Sequence, residues 1–410
     1  MPTTLASRLK AVQPSATLAM NARALELKAQ GVDVFAFGVG EPDFEPPKEV
    51  LDAAKRAIDA GASKYGPVTG IPALKTAICE FTQRMRGWAP KPENVCVTVG
   101  AKSALFNVAL ALYEPGDEVV IPKPYWVTYP EQVRILGATP VIVETREDEG
   151  WKVPAERLEK ALTPRTKAVI LCTPSNPTGA AYTEHETRAL VEVLRKHDCW
   201  LVVDEIYAEL VYEGFKFVSA AKIAPDLLDR IVIIDGVSKT FAMTGWRIGW
   251  SIAPAALTKA MDVVQGQSST HAAMVAQHAA VAALKCDLGD FPKTRDLFQR
   301  RRDAMVAGLE SIPGFRCRKP EGAFYCFPDV RGLYGLETEQ KTLETDEDVA
   351  FWLLDRAHVA AVPGSGFGMP GYMRFSYAAS EERIQAGIET IRRVVERAWR
   401  ADRTGKTRLK

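Results

Sequence analysis

Seven short apolar runs, at residues 95–99, 118–121, 140–143, 168–172, 200–203, 231–234 and 248–252, recur along the first two thirds of the chain. Each is four or five residues long and rich in Val and Ile, and amphipathic stretches separate them. The first run leads into an apolar-periodic helix predicted over 101–112. A strand that is apolar on both faces must be covered on both, which is the signature of a mostly parallel sheet between helical layers. The pattern therefore predicts a three-layer α/β/α domain. Beyond about Ser268 it gives way to longer helical segments such as 295–309, to strands near 323–327 and 373–377, and to a final helix presenting Ile384, Ile388, Ile391 and Val395 on one face. That half predicts a smaller α+β domain completed by the N-terminal residues. The boundaries read as an arm and part of the small domain over 1–45, a large domain over 46–285 and a small C-terminal domain over 286–410.

A chain of 410 residues that is 47% hydrophobic and 25% charged fits a globular protein of more than one domain. With 52 basic against 51 acidic residues the formal net charge is +1, so no global field favours nucleic acid or an anionic membrane. The basic cluster Arg400, Arg403, Lys406, Arg408 and Lys410 reads as a solvated end. Cys79, Cys96, Cys172, Cys199, Cys286, Cys317 and Cys326 are scattered, odd in number and without a C-x-x-C pair, as expected of reduced cytosolic thiols. His271 and His278 lack acidic or cysteine neighbours, so no metal site is expected. No apolar stretch reaches the roughly 20 residues of a membrane span and residues 1–30 lack a signal-peptide core, which points to the cytoplasm.

The chemistry concentrates at strand ends. Lys239 follows the run 231–234, at the carboxyl edge where open α/β sheets bind ligands. Desolvation there lowers an amine's pKa and frees its lone pair to form a Schiff base with a carbonyl. A lone lysine in a loop is ordinarily solvated, so its companions decide. Asp204 closes the run 200–203 and offers a carboxylate to a cationic ring nitrogen. Asn176, in Ser175-Asn176-Pro177-Thr178-Gly179, sits in a loop turned by two prolines and a glycine and offers an uncharged amide. Gly100-Ala101-Lys102-Ser103 opens a helix whose free N–H groups suit a phosphate. A lysine, an acid, an amide and an anion site on four strand ends match the requirements of pyridoxal phosphate.

With these motifs the chain resembles the fold type I, class I pyridoxal-phosphate-dependent aminotransferases, most of all the bacterial type of aspartate aminotransferase. The resemblance rests on Lys239 with Arg247, on the S-N-P-T-G loop, on Asp204-Glu205-Ile206-Tyr207, on Gly38 to Phe44, on Lys64-Tyr65-Gly66, on Pro124-Tyr125-Trp126 and on Pro14-Ser15-Ala16-Thr17, and runs from about Leu9 to Ala398. It implies reversible ping-pong transfer of the amino group of L-aspartate to 2-oxoglutarate. Lys239 would carry the cofactor, pyridoxal 5'-phosphate, and then move the substrate's Cα proton, while Asp204 would keep the pyridine nitrogen protonated. Tyr207 and Asn176 would bond the ring's phenolic oxygen, and Trp126 would stack on the ring. Gly100, Ala101, Lys102, Ser238, Arg247 and, from a neighbouring subunit, Tyr65 would hold the phosphate, which implies a homodimer with shared active sites. Arg374, on an alternating strand, would grip the substrate α-carboxylate beside Gly40, Trp126 and Asn176, and Lys102 with Thr17 would take the distal carboxylate.

Two positions depart from the pattern. Gln13 stands where many relatives carry a basic residue, some of them linked to prephenate use, and His271 is atypical and expected near the substrate pocket. Alternative readings on the same scaffold are an aminotransferase for prephenate with glutamate, aromatic amino acids or alanine, and a β-lyase. A ligand-sensing regulator would need an attached DNA-binding module, and no basic helix-turn-helix pattern precedes the sheet.

Overall fold

The computed structural model describes residues 6–12, 16–286, 291–339 and 341–405. Twelve strands are found among them: β1 (Phe35–Ala36), β2 (Val95–Val99), β3 (Glu118–Pro122), β4 (Thr139–Val143), β5 (Thr166–Cys172), β6 (Trp200–Asp204), β7 (Ile231–Gly236), β8 (Ile248–Ile252), β9 (Tyr325–Cys326), β10 (Val359–Ala360), β11 (Val362–Pro363) and β12 (Met373–Ser376). The seven apolar runs form one sheet in the order β2-β8-β7-β6-β5-β3-β4, parallel throughout except for β8, which is antiparallel to both neighbours.

Alternation explains why the runs are apolar without interruption. Val95, Val97, Val169, Leu171, Leu201, Val203, Ile231 and Ile233 enter a core on one face, while Cys96, Ala168, Ile170, Val202, Val232 and Ile234 enter a second core on the other. Each such aliphatic side chain contributes about 1.5–3 kcal/mol by leaving water. The expected helix over 101–112 is present as Ala101–Leu112, and its N-cap Gly100 has φ 80°, a left-handed conformation that favours glycine.

A further core joins Met20, Ala24, Leu27, Val34 and Phe37 to Phe298, Leu309, Phe324, Leu353, Phe375, Ile384, Ile388, Ile391 and Val395. Around it stand the three-stranded sheet β11-β12-β9, the pair β1-β10 and the closing helix Glu381–Gly405. The strand expected over 323–327 shortens to β9, because Ala323 adopts a left-handed φ of 57°. The helix expected over 295–309 runs longer, as Phe291–Glu310. Among the described residues no helix is long and apolar enough to cross a membrane.

Candidate active site

The parallel strands β5, β6 and β7 all end at one edge, at Cys172, Asp204 and Gly236. Because β8 runs the other way, with Gly249 opposite Gly236 and Ile248 opposite Val99, its leading residue Arg247 arrives at that same edge. The four ends and the start of the helix Ala101–Leu112 enclose a cavity of about 280 Å³. Gly40, Ala101, Lys102, Trp126, Asn176, Asp204, Tyr207, Ser238, Lys239, Arg247 and Arg374, all singled out from the sequence, line it together.

Lys239 is enclosed at the centre. Its Nζ donates to the Gly40 carbonyl at 2.7 Å and lies 5.6 Å from the Phe324 ring centre and 5.9 Å from that of Tyr207. Burial, reinforced by the positive charge of Arg374, lowers its pKa to about 8. Asp204 is more deeply buried than Lys239: burial raises its pKa to about 6, against the bonds that Tyr129 Oη donates to Oδ2 at 2.8 Å and the Ile206 N–H donates to Oδ1 at 3.2 Å.

Arg374 reaches the cavity from β12. Its strand alternates, Met373 and Phe375 packing into the apolar core and Arg374 lining the cavity, and all four residues are buried. The guanidinium donates from Nη1 to Asn176 Oδ1 at 2.8 Å and from Nη2 to the Gly38 carbonyl at 2.7 Å, and it lies 4.6 Å from the Tyr325 ring centre. Its buried Nε has no partner. With Asn176 Oδ1 taken as acceptor, the NH₂ of the same amide is left to donate into the cavity. Gly40 is glycine for a tertiary reason, since a Cβ there would stand 2.1 Å from Tyr325 Oη. Tyr325 Oη in turn shares a 2.8 Å hydrogen bond with Tyr207 Oη.

The anion end lies at the helix start. A Cβ on Gly100 would meet Arg247 Nη2 at 2.5 Å, and one on Gly249 would meet the Ala101 nitrogen at 2.3 Å, so two glycines bring guanidinium, β8 and helix terminus together. Lys102 Nζ lies 4.8 Å from the Trp126 ring centre, and burial followed by the charge of Arg247 lowers its pKa. Trp126 meets Tyr129 edge-on at 5.6 Å.

Of the described side chains named from the sequence, Tyr65 and His271 lie apart from the lining, and Gly100, the N-cap of the helix Ala101–Leu112, is not part of it either. Tyr65 is 91% exposed and packs edge-on against His271. His271 itself accepts from the Gly66 N–H rather than facing the cavity. Thr17 belongs to the helix Ala16–Ala29, and its side chain, like Gln13 and the tail from Lys406, falls outside the described residues. Conversely, the sequence reading missed Val127, Tyr129, Cys172, Ile206, Thr244 and Tyr325 in the lining. Tyr129 stands one helical turn beyond Trp126 and could have been found by that spacing. Tyr325 carries no local signal, because only the pairing of β9 with β12 brings it in.

The family model for aminotransferase class I and II matches residues 32–391. A Rhizobium leguminosarum bv. phaseoli protein described as a probable aspartate/prephenate aminotransferase is 46% identical over 391 residues, covering 95% of this chain and 98% of its own. The crystal structure of an aspartate aminotransferase from Rhizobium meliloti superimposes with a TM-score of 0.92 at 44% identity, covering 96% of this chain and 99% of that one. The aspartate aminotransferase of Thermus thermophilus with maleate gives a TM-score of 0.89 at 42% identity, covering 96% and 100%.

Proposed function

The chain belongs to the class I and II aminotransferases, and on that premise we propose that it is an aspartate aminotransferase, passing the amino group of L-aspartate to 2-oxoglutarate reversibly by a ping-pong route. The observation that carries the reading is the enclosure of Lys239 between Asp204 and Arg374, with Lys102 and Arg247 at the helix start of the same cavity.

The lining fits pyridoxal 5'-phosphate. An acid held in place by Tyr129 faces the cavity, an amine of lowered pKa stands beside it, and a guanidinium meets free helix N–H groups where a phosphate would lie. When bound, this group supplies an aldehyde for an amine and a conjugated ring that takes up the electron pair left by a departing Cα proton. Lys239 would hold it covalently and would take the substrate's Cα proton on Nζ; a pKa of about 8 suits a base working near neutrality. Asp204 holds a proton on the ring nitrogen by opposing its charge. Tyr207 and Asn176 would bond the ring's phenolic oxygen and Trp126 would stack on the ring; all three line the cavity. Ala101, Lys102, Ser238 and Arg247, with Gly100 giving room, receive the phosphate. The unpartnered Nε of Arg374 belongs to a fork that suits a planar α-carboxylate.

Lys102 supports a dicarboxylic substrate, as a second cation over Trp126 in the same cavity, and by the resemblance alone Thr17 would assist it. The maleate named with the Thermus thermophilus enzyme is a dicarboxylate, which supports the same reading. The 91% exposure of Tyr65 supports its completing a neighbour's site, and with it a homodimer as the active unit. The free cysteines support a reducing, cytoplasmic setting.

A panel of amino donors with 2-oxoglutarate tests the assignment. L-aspartate is expected to exceed alanine, aromatic donors and the glutamate–prephenate pair, and preference for any of these overturns it. Lys102→Met is expected to weaken dicarboxylate use by about tenfold more than monocarboxylate use. An equal loss would assign Lys102 to the phosphate alone. Pyruvate and ammonia without an oxo-acid acceptor would indicate a lyase.

A further inference from the structure

We infer that His271 is a positioning residue that presents Tyr65 to the neighbouring subunit's cofactor phosphate. The inference rests on the proposed cofactor and on the phosphate role of Tyr65. Tyr65 is the most exposed of the large hydrophobic side chains, at 91%, so its own protomer gives it little apolar burial. A side chain left in water loses rotamer freedom on binding unless something orders it beforehand. His271 supplies that order in two ways. Its ring meets the Tyr65 ring edge-on at 6.0 Å with an interplanar angle of 85°, and its Nε2 accepts a 3.1 Å bond from the N–H of the next residue, Gly66.

The histidine is itself fixed. Its Nδ1 lies 2.8 Å from the Ala272 carbonyl; with Nε2 accepting, Nδ1 carries the hydrogen and the imidazole is the neutral Nδ1–H tautomer. The Ala272 carbonyl also accepts from Gln277 Nε2 at 2.7 Å, and Gln277 Oε1 takes the Ile71 N–H at 2.8 Å. Gln265 Nε2 adds a bond to the Val68 carbonyl at 2.6 Å. Three side chains from residues 265–277 thus stitch the segment 66–71 at Gly66, Val68 and Ile71, and His271 is the stitch next to Tyr65. Gly66 allows the approach, since a Cβ there would stand 2.4 Å from Met274 Sδ. A histidine serving only to brace the turn after the left-handed Thr270 would need the backbone bonds but not the ring contact with Tyr65.

The test reads retention of pyridoxal 5'-phosphate by the dimeric holoenzyme, as the dissociation constant from equilibrium dialysis, with thermal midpoints of each apoprotein recorded alongside. Tyr65→Phe is expected to weaken retention roughly tenfold, the size of a lost hydrogen bond to a charged group. His271→Ala is expected to do nearly the same, and the double variant to be no worse than Tyr65→Phe alone. His271→Gln, whose Oε1 can take the Gly66 N–H but which offers no ring to Tyr65, is expected to recover only part of the loss. Additive losses, an unchanged constant for His271→Ala, full rescue by glutamine, or an unchanged constant for Tyr65→Phe would each overturn the inference. A wild-type protein that binds no pyridoxal phosphate would instead overturn the proposed function.

Discussion

Asp204 and Glu205 are consecutive and both buried, yet they belong to two charge clusters built on opposite principles. Alternation along β6 sends Asp204 to the face of Tyr129 and Lys239, and Glu205 to the face of Arg86. Arg86 is surrounded by three carboxylates, Glu205 at 3.5 Å, Asp235 at 3.2 Å and Glu209. Burial raises Glu205 and Asp235 to about 7 while Arg86 opposes the rise. That cluster carries its own counter-charge. In the crevice, Lys102, Lys239, Arg247 and Arg374 form no salt bridge among the described residues, and Glu41 and Asp204 oppose the charge of Lys239 without an ion pair. The difference separates a cluster that completes itself from one that an anionic ligand completes.

Substitutions can break this contrast, and Lys239→Ala should have the largest effect. Turnover of aspartate with 2-oxoglutarate is expected to fall by about 10⁴-fold, the upper range for loss of a general base. Apoprotein stability at pH 7 should not fall. The amine's folded pKa of about 8 lies below its ordinary 10.5, so burying its charge opposes folding at neutral pH, and stability rises with pH between those values. A collapse in thermal midpoint would put Lys239 in the same class as Arg86.

Arg86→Leu is expected to cost about 3–5 kcal/mol in denaturant unfolding, because it strands buried carboxylates, while turnover per folded molecule stays near wild type. Asp204→Asn should act with the opposite sign. Its carboxyl has a folded pKa of about 6 against an ordinary 3.8, so stability is fullest below 3.8 and is lost as pH rises through 6. Removing the charge should therefore stabilise the apoprotein at pH 7 by up to about 3 kcal/mol while crippling transamination. The smallest effect is a titration. Capture of pyridoxal phosphate by the apoprotein should quicken by about tenfold per pH unit up to about 8 and then level off, as Lys239 loses its proton. The absorbance of the bound cofactor reports it, and a midpoint near 10.5 would mean a solvated lysine.

Much of the site was legible because strand ends are local. Lys239, Asp204, Asn176 and Gly100 each follow an apolar run within a few residues, so reading the sheet also read the edge on which they meet. What escaped depended on contacts between distant segments. Tyr129 enters the site only through the hydrogen bond its hydroxyl donates to Asp204, 75 residues on. Tyr325 depends on pairing with β12, and the glycine at 40 is explained by that tyrosine. His271 was visibly unusual, but its partner Gly66 is 205 residues away.

By itself, then, the sequence determined a doubly covered sheet, the lysine at its edge and the company that lysine keeps, since apolar period and loop position depend on neighbours in the chain. Only the tertiary structure decided how basic Lys239 is, which groups fix Arg374 and which ring Tyr65 leans on. Those properties follow from desolvation and from charges and hydrogen bonds contributed by segments hundreds of residues apart, and they exist only once the chain has closed around the crevice.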